Sequence, residues 1–249
     1  MSHKPTIVLV HGAFHGPEAF HLIKPKLEAL GYPVVAVALA SVGTANPNAT
    51  YLDDVGAIHE EVLPIIDEGK EVILVTHSWG GVPGAASTEG HTVQDRASRG
   101  EKGGIKSILM IAAAIVMEKG TSLSQSNGTN SVEWIDLEGN LGTCNQQAKE
   151  MFYNDMPSAE ADHYFSLLRP QAMPTFFTPV NYVASDLTIP KAYMICEKDL
   201  AMPVEFQEMM VDKVGGFKKI RFGGGHSPFL SQPDWTVRVI EEFASEICL

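Results

Sequence analysis

The chain has 249 residues, 45% of them hydrophobic, which is enough for one well-buried core, and its composition carries no signature of disorder. A formal net charge of −12 removes the basic footprint that nucleic acid requires, so no nucleic-acid partner is expected. The first apolar run, Ile7–Val10, is too short for a signal-peptide core, no later stretch reaches the length of a membrane span, and Cys144, Cys196 and Cys248 are an odd, widely spaced set, so a cytoplasmic protein with reduced thiols and no membrane contact is expected.

Taken in chain order, short β-rich runs alternate with amphipathic ones. Thr6–Val10 reads as a strand, Glu18–Leu30 as a helix stopped by Gly31, and Pro33–Leu39 as a second strand. Tyr51–Glu68 reads as a helix in which Pro64 interrupts the periodic set Val55, Ile58, Val62 and Ile65, so a kink or an early end is expected there. The strand Glu71–Thr76 and the helix Trp79–Thr88 follow, then a Gly- and charge-rich segment, Glu89–Gly104, expected to be a mobile loop. After the strand Ile105–Ala112 the alternation breaks from about Val116 to Val180. That stretch holds a polar run, Thr121–Ser131, and two short helices, Asn145–Tyr153 and Ser158–Arg169, and is expected to be an inserted lid, since structureless loops of such length are uncommon. The chain closes with the strands Lys191–Cys196 and Lys218–Phe222 and the helices Val204–Val214 and Pro233–Ile247. Strands apolar on both faces, separated by helices, specify a mostly parallel sheet of about six strands covered on both sides. The expected division is a core of residues 1–115 and 181–249 and a lid of residues 116–180.

The chemistry concentrates at strand ends. Strand Glu71–Thr76 runs into His77-Ser78-Trp79-Gly80-Gly81 and then a helix, the context of a sharp turn that projects its central serine above a sheet. Such a turn needs small neighbours two positions away. Gly80 meets that need on one side, whereas Thr76 stands where the usual G-x-S-x-G pattern has glycine. A serine hydroxyl is a poor nucleophile without a base, and His226 is the candidate, because it follows the last strand and the flexible run Gly223-Gly224-Gly225. His3, His21, His59, His91 and His163 are read as ordinary surface or core residues. Asp199, just past strand Lys191–Cys196, is the carboxylate expected to orient His226, with Glu197 as its nearby competitor. The turn His11-Gly12-Ala13-Phe14-His15-Gly16 is expected to aim the backbone N–H of Ala13, together with that of Trp79, at a developing oxyanion. His11 and His15 lack a neighbouring carboxylate pattern, so no metal or other cofactor is expected. Gly12, Phe14, Trp134 and Met156 are the expected substrate-binding residues.

The segments Val10-His11-Gly12-Ala13-Phe14, Thr76-His77-Ser78-Trp79-Gly80-Gly81, Cys196-Glu197-Lys198-Asp199 and Gly225-His226-Ser227-Pro228-Phe229-Leu230 resemble the hydroxynitrile lyase and methyl-salicylate esterase branch of the α/β-hydrolases and similar microbial esterases. The likeness runs over nearly the whole chain and includes Phe152-Tyr153-Asn154-Asp155 in the lid-like stretch. It implies the α/β-hydrolase fold and a Ser78–His226–Asp199 triad. The lyases it resembles carry a threonine in the oxyanion loop and a lysine just after the catalytic histidine, where this chain has Gly12 and Ser227. Without that lysine nothing stabilises departing cyanide, so the resemblance implies a carboxylic ester hydrolase acting on a small ester or lactone. Two alternatives stay open: carbon–carbon bond cleavage or cyclisation of a polyketide-like metabolite by the same triad, and a ligand-binding receptor that keeps the triad. A homodimer is also left open.

Overall fold

The computed structural model describes residues 4–43, 46–128 and 133–247; His3, Cys248 and the end of the polar run at 129–131 lie outside them. The elements are, in chain order, β1 (Thr6–Val10), α1 (Lys24–Ala29), β2 (Val34–Val37), α2 (Tyr51–Asp67), β3 (Glu71–His77), α3 (Gly81–Ala86), α4 (Val93–Ser98), β4 (Gly104–Ile111), α5 (Leu123–Asn127), β5 (Ile135–Glu138), β6 (Leu141–Cys144), α6 (Gln147–Tyr153), α7 (Ser158–Ser166), β7 (Gln171–Ala172), α8 (Pro174–Phe177), β8 (Lys191–Cys196), α9 (Val204–Val214), β9 (Phe217–Phe222), α10 (Pro228–Ser231) and α11 (Pro233–Ile247).

Six of the strands form one sheet in the order β2-β1-β3-β4-β8-β9, every pair parallel. The sequence places runs of consecutive apolar residues in the central strands, and the pleat sends alternate ones to opposite faces. Val8, Val10, Val72, Leu74, Ile108 and Met110 join Ile58 and Val62 of α2 and Met210 of α9 in one buried cluster. Ile7, Leu9, Ile73, Val75, Leu109 and Ile111 join Leu27 of α1 and Ile240 and Phe243 of α11 in the other. The central strands are therefore buried on both faces, and the strand ends form the rims on which side chains can meet a ligand. All strands point the same way, so the segments carrying Ala13, Ser78, Asp199 and His226 emerge on one rim, the usual ligand edge of open α/β sheets.

Several local expectations are corrected. The helix read over Glu18–Leu30 is split into a 3-10 turn, Pro17–Phe20, and α1, because Pro25 at the second helical position cannot donate back to the preceding turn. In contrast, Pro64 does not end α2, which runs on to Asp67. The bond Pro64 lacks would reach Glu60, an exposed position whose carbonyl is open to solvent. The expected mobile loop at 89–104 holds α4, opened by a Thr92–Asp95 capping box. It is pinned by buried Arg96, which pairs with Asp67 at 3.0 Å and donates to the carbonyl of Ile66 at 3.1 Å.

Residues 116–180 leave the sheet after β4 and return before β8. Besides the two expected helices, here α6 and α7, they form a second, antiparallel sheet in the order β5-β6-β7. Gly139-Asn140 closes the β5–β6 hairpin, with Gly139 at φ +60. Chain segments join this region to the core at β7: Ala172 N–H donates to the carbonyl of Ser41 and Gly43 N–H to that of Pro170, both at 2.8 Å.

Candidate active site

Ser78 sits between β3 and a 3-10 turn, Ser78–Gly80, that leads into α3. Its φ of +49 is in the left-handed region, one of only three non-glycine residues so placed among the described residues. The turn closes tightly around it: a Cβ on Gly12 would lie 2.8 Å from the Ser78 Cβ, so the β1 loop reaches the serine only because residue 12 is glycine. Thr76 fits two positions before the serine because a second glycine compensates for it. A Cβ on Gly84 of α3 would lie 2.5 Å from the Thr76 methyl, so the space that G-x-S-x-G leaves on the strand is here left on the helix.

His226 is 2% exposed, and its Nδ1–H donates to Asp199 Oδ2 at 2.6 Å. Asp199 is held in turn. Its Oδ1 accepts the N–H groups of Ala201 and Met202, each at 2.8 Å, and Gln207 approaches Oδ2 at 3.4 Å. With Nδ1 fixed as donor, the neutral imidazole of His226 presents Nε2 as an acceptor. Phe152 stacks on the ring at 5.5 Å and 26°. Glu197, the competing carboxylate, is exposed and pairs with Arg221 at 3.0 Å. Asp199 is thus the carboxylate that meets the histidine.

Ser78 and His226 line one cavity of about 790 Å³, which Ala13 and Trp79 also line. Of the expected substrate-binding residues, Phe14 and Trp134 are in its wall, their rings edge-to-face at 5.9 Å. Gly12 and Met156 are not. Gly12 is packed beneath the serine, and Met156, in the turn between α6 and α7, packs on the apolar cluster behind the wall. Phe176, Phe206 and the rim residues Leu137 and Phe177 line the cavity without having been singled out in the sequence, because their contact depends on how the 116–180 segment and the start of α9 fold over the rim.

Three further histidines brace this rim, all held neutral by burial. His11 has its pKa pushed down to about 4; its Nδ1–H donates to the Gly12 carbonyl and its Nε2 accepts the Leu39 N–H. His15 is pushed down to about 3, donating from Nδ1 to the Ala13 carbonyl and accepting the Tyr153 hydroxyl at Nε2. His77 is held well below the ordinary imidazole value and donates from Nε2 to the His226 carbonyl at 2.9 Å. The ring nitrogens of His11 and His15 are thus engaged in fixing the β1 loop. Asp155, also missed, accepts Gly225 N–H at 2.7 Å and the Ser231 hydroxyl at 2.9 Å, clamping the loop that carries His226. The run Asn154-Asp155 between two helices was the available signal, an Asx-rich turn with side chains free to reach outward.

Beneath the cavity lies a buried polar chain. Asp54 of α2, with no exposed surface, accepts Trp79 Nε1–H at 2.8 Å, Ser41 N–H at 2.8 Å and Ser41 Oγ–H at 2.7 Å. Gln171 of β7, also fully buried, donates to Ser41 Oγ at 2.8 Å and accepts the Phe14 N–H at 3.3 Å.

A family model described as the alpha/beta hydrolase family matches residues 7–239. The chain is 35% identical to alpha/beta hydrolase nvfD of Aspergillus novofumigatus over 98% of both chains. It is 26% identical to salicylic acid-binding protein 2 of Nicotiana tabacum over 91% of this chain and 92% of the relative. Among solved structures, polyneuridine aldehyde esterase superposes with a TM-score of 0.78 at 22% identity, covering 97% of this chain and 99% of that one. The parallel sheet, the strained serine on its rim and the match along nearly the whole length agree: the chain belongs to the alpha/beta hydrolase family.

Proposed function

We propose that the protein is a serine hydrolase that cleaves an ester or lactone through an acyl-enzyme on Ser78, with His226 as general base and acid and Asp199 as the carboxylate that orients it. The observation that carries this reading is the buried 2.6 Å contact between His226 Nδ1 and Asp199, beside a serine held at φ +49 on the wall of the same cavity. Relatives that include methylesterases support ester hydrolysis as the reaction class.

In this mechanism Ser78 Oγ attacks the carbonyl carbon while its proton passes to His226 Nε2. Asp199 stabilises the imidazolium that forms. The backbone N–H groups of Ala13 and Trp79 receive the negative charge that develops on the carbonyl oxygen. Collapse expels the alcohol, which takes the proton from Nε2 and leaves the acyl group on Ser78. Water then repeats the sequence in place of serine and releases the acid. The neutral state of His15 and His77 serves this cycle, because no second cation near His226 opposes its protonation. Residues 116–180 act as the lid that closes the site from above.

Intact-mass measurement after treatment with a fluorophosphonate tests the reading. One adduct on the protein, absent from Ser78→Ala, is expected together with hydrolysis of p-nitrophenyl esters. Full activity in Ser78→Ala overturns it.

A further inference from the structure

We infer that the substrate is an uncharged, predominantly apolar ester or lactone whose body fills most of the cavity, and so is larger than the small ester expected from the sequence. This rests on the proposed reaction at Ser78 and names the substrate class of that site. The cavity, about 790 Å³, is in the range that encloses a drug-sized ligand and far exceeds what an acetyl group fills. Its wall includes Phe14, Trp79, Trp134, Phe152, Phe176 and Phe206 and, among the described residues, no Asp, Glu, Lys or Arg. The polar side chains in it are Ser78, His226, Ser124 and Asn140. A charged substrate would leave water for a wall with no counter-charge, whereas an apolar body gains with each carbon buried.

The mouth repeats the theme. Leu137 and Phe177, 61% and 47% exposed, line it and present apolar surface to solvent. Hydrolysis also changes the fit. The product acid ionises in a cavity without a cation, within a chain of net charge −12, so the product is driven out and the free carboxylate is a poor ligand.

The experiment compares kcat/KM for p-nitrophenyl acetate, butyrate, hexanoate and hemisuccinate. Each buried methylene is worth up to about fourfold, so hexanoate is expected to exceed acetate by at least tenfold. Hemisuccinate, matched to butyrate in length but anionic, is expected tenfold or more below it. Acetate equal to hexanoate, or hemisuccinate equal to butyrate, overturns the inference. Nile red bound to Ser78→Ala separates the two layers of the argument. Displacement by neutral but not anionic esters upholds the cavity's selectivity even if no ester is turned over, and equal displacement by both overturns it. Absence of turnover and of a fluorophosphonate adduct sinks the Ser78 reading alone.

The buried polar chain carries a second inference independently: the geometry points to Gln171 as a positioning residue that ties residues 116–180 to both segments holding the oxyanion donors. One end of its amide holds the N–H of Phe14, which follows Ala13 and sits at φ +64; the other holds Ser41, which leads through Asp54 to the Trp79 indole. Gln171→Leu keeps the bulk and removes both bonds. It is expected to lower kcat about tenfold for acetate and hexanoate alike, with KM within twofold, because it disturbs the donors and not the wall. Ser41→Ala, which cuts the same chain from the core side, is expected to do the same and serves if Gln171→Leu does not fold. Unchanged kcat in the folded variants, or a loss confined to hexanoate, overturns this role.

Discussion

The cavity has two halves that are held in different ways. Its floor is the rim of the parallel sheet, where Ser78 and Asp199 follow strands, β3 and β8, that are buried at all but their first residue, and His226 follows the edge strand β9. Its roof, residues 116–180, is made of a four-residue hairpin pair and helices of nine residues or fewer. The roof gains its order by leaning on the floor: Phe152 on His226, Phe176 on Trp79 at 4.9 Å, Asp155 on Gly225. Such a division lets the floor keep reacting groups fixed while the roof changes shape with the substrate. Substitutions in the floor, or at Gln171 where the roof is tied to it, should therefore act on kcat, and substitutions in the roof's share of the cavity wall on KM and on the ranking of substrates.

The largest effects test the floor. Ser78→Ala is expected to lower kcat/KM for p-nitrophenyl hexanoate by at least about 10⁴-fold while far-UV circular dichroism stays unchanged. Asp199→Asn keeps the shape but offers His226 an amide that no longer accepts both surrounding donor sets, so kcat should fall on the order of 10³- to 10⁴-fold. Glu197→Gln, at the exposed competitor, should leave kcat within twofold. If Glu197→Gln is the damaging change and Asp199→Asn the mild one, the carboxylate has been misassigned.

The joint between floor and roof gives the next effect. Burial, the largest cause, pushes the Asp54 carboxyl up to about 6, against the Trp79 and Ser41 donors that pull it down. An acid whose folded pKa is raised binds its proton more tightly in the folded state, so its contribution to stability is complete below about pH 4 and lost as pH rises through about 6. For a group with no exposed surface the loss is about 3 kcal/mol. Asp54→Asn lacks this titration. The melting temperature of the wild type minus that of the variant should therefore fall between pH 4 and 6.5 and stay level above it. A difference that grows over this range would show that the donors outweigh burial.

Much of this was legible in the sequence, and the reason differs between the halves. The floor strands announce themselves because a strand buried on both faces must be apolar throughout, and the strand-to-helix turn at Ser78 needs glycines at set positions. The chain order also pointed to Asp199 as the partner of His226, and to Ser78 and His226 on one cavity wall. What the sequence hid are relations across space. Thr76 breaks the glycine pattern, and its compensation at Gly84 lies in α3, beyond the turn that holds the serine. His15 and His77 look like any histidines until burial and their carbonyl partners are seen. In the roof, the helices near Asn145–Tyr153 and Ser158–Arg169 were legible, but the strands β5, β6 and β7 are too short for their alternation to register. Its apolar residues therefore gave no warning of which would face the cavity: Trp134 does and Met156 does not.

The Thr76–Gly84 pair can be broken deliberately. Gly84→Ala places a methyl against Thr76 and is expected to cost about 1–3 kcal/mol of stability, read from denaturant midpoints. Thr76→Gly restores the usual pattern on the strand, so the double variant should recover most of that loss. A fully additive pair of losses would mean that the contact does not fix the turn.

The smallest expected effect belongs to the roof alone. Trp134 meets Phe152 at 5.1 Å and Phe14 at 5.9 Å, forming an aromatic corner that spans roof and floor beside the cavity. Trp134→Ala removes ring surface from the wall but touches neither His226 nor Asp199, so the reacting groups keep their geometry. The expected result is a rise of about three- to tenfold in KM for p-nitrophenyl hexanoate, a smaller rise for acetate, and kcat within about threefold for both. The measurement bears on the division itself, because Phe152 stacks on His226 and is one contact away from Trp134. If kcat falls by more than tenfold for acetate as well, the roof is part of the apparatus that orients the histidine, and the separation between a fixed floor and an adaptable roof fails at this corner.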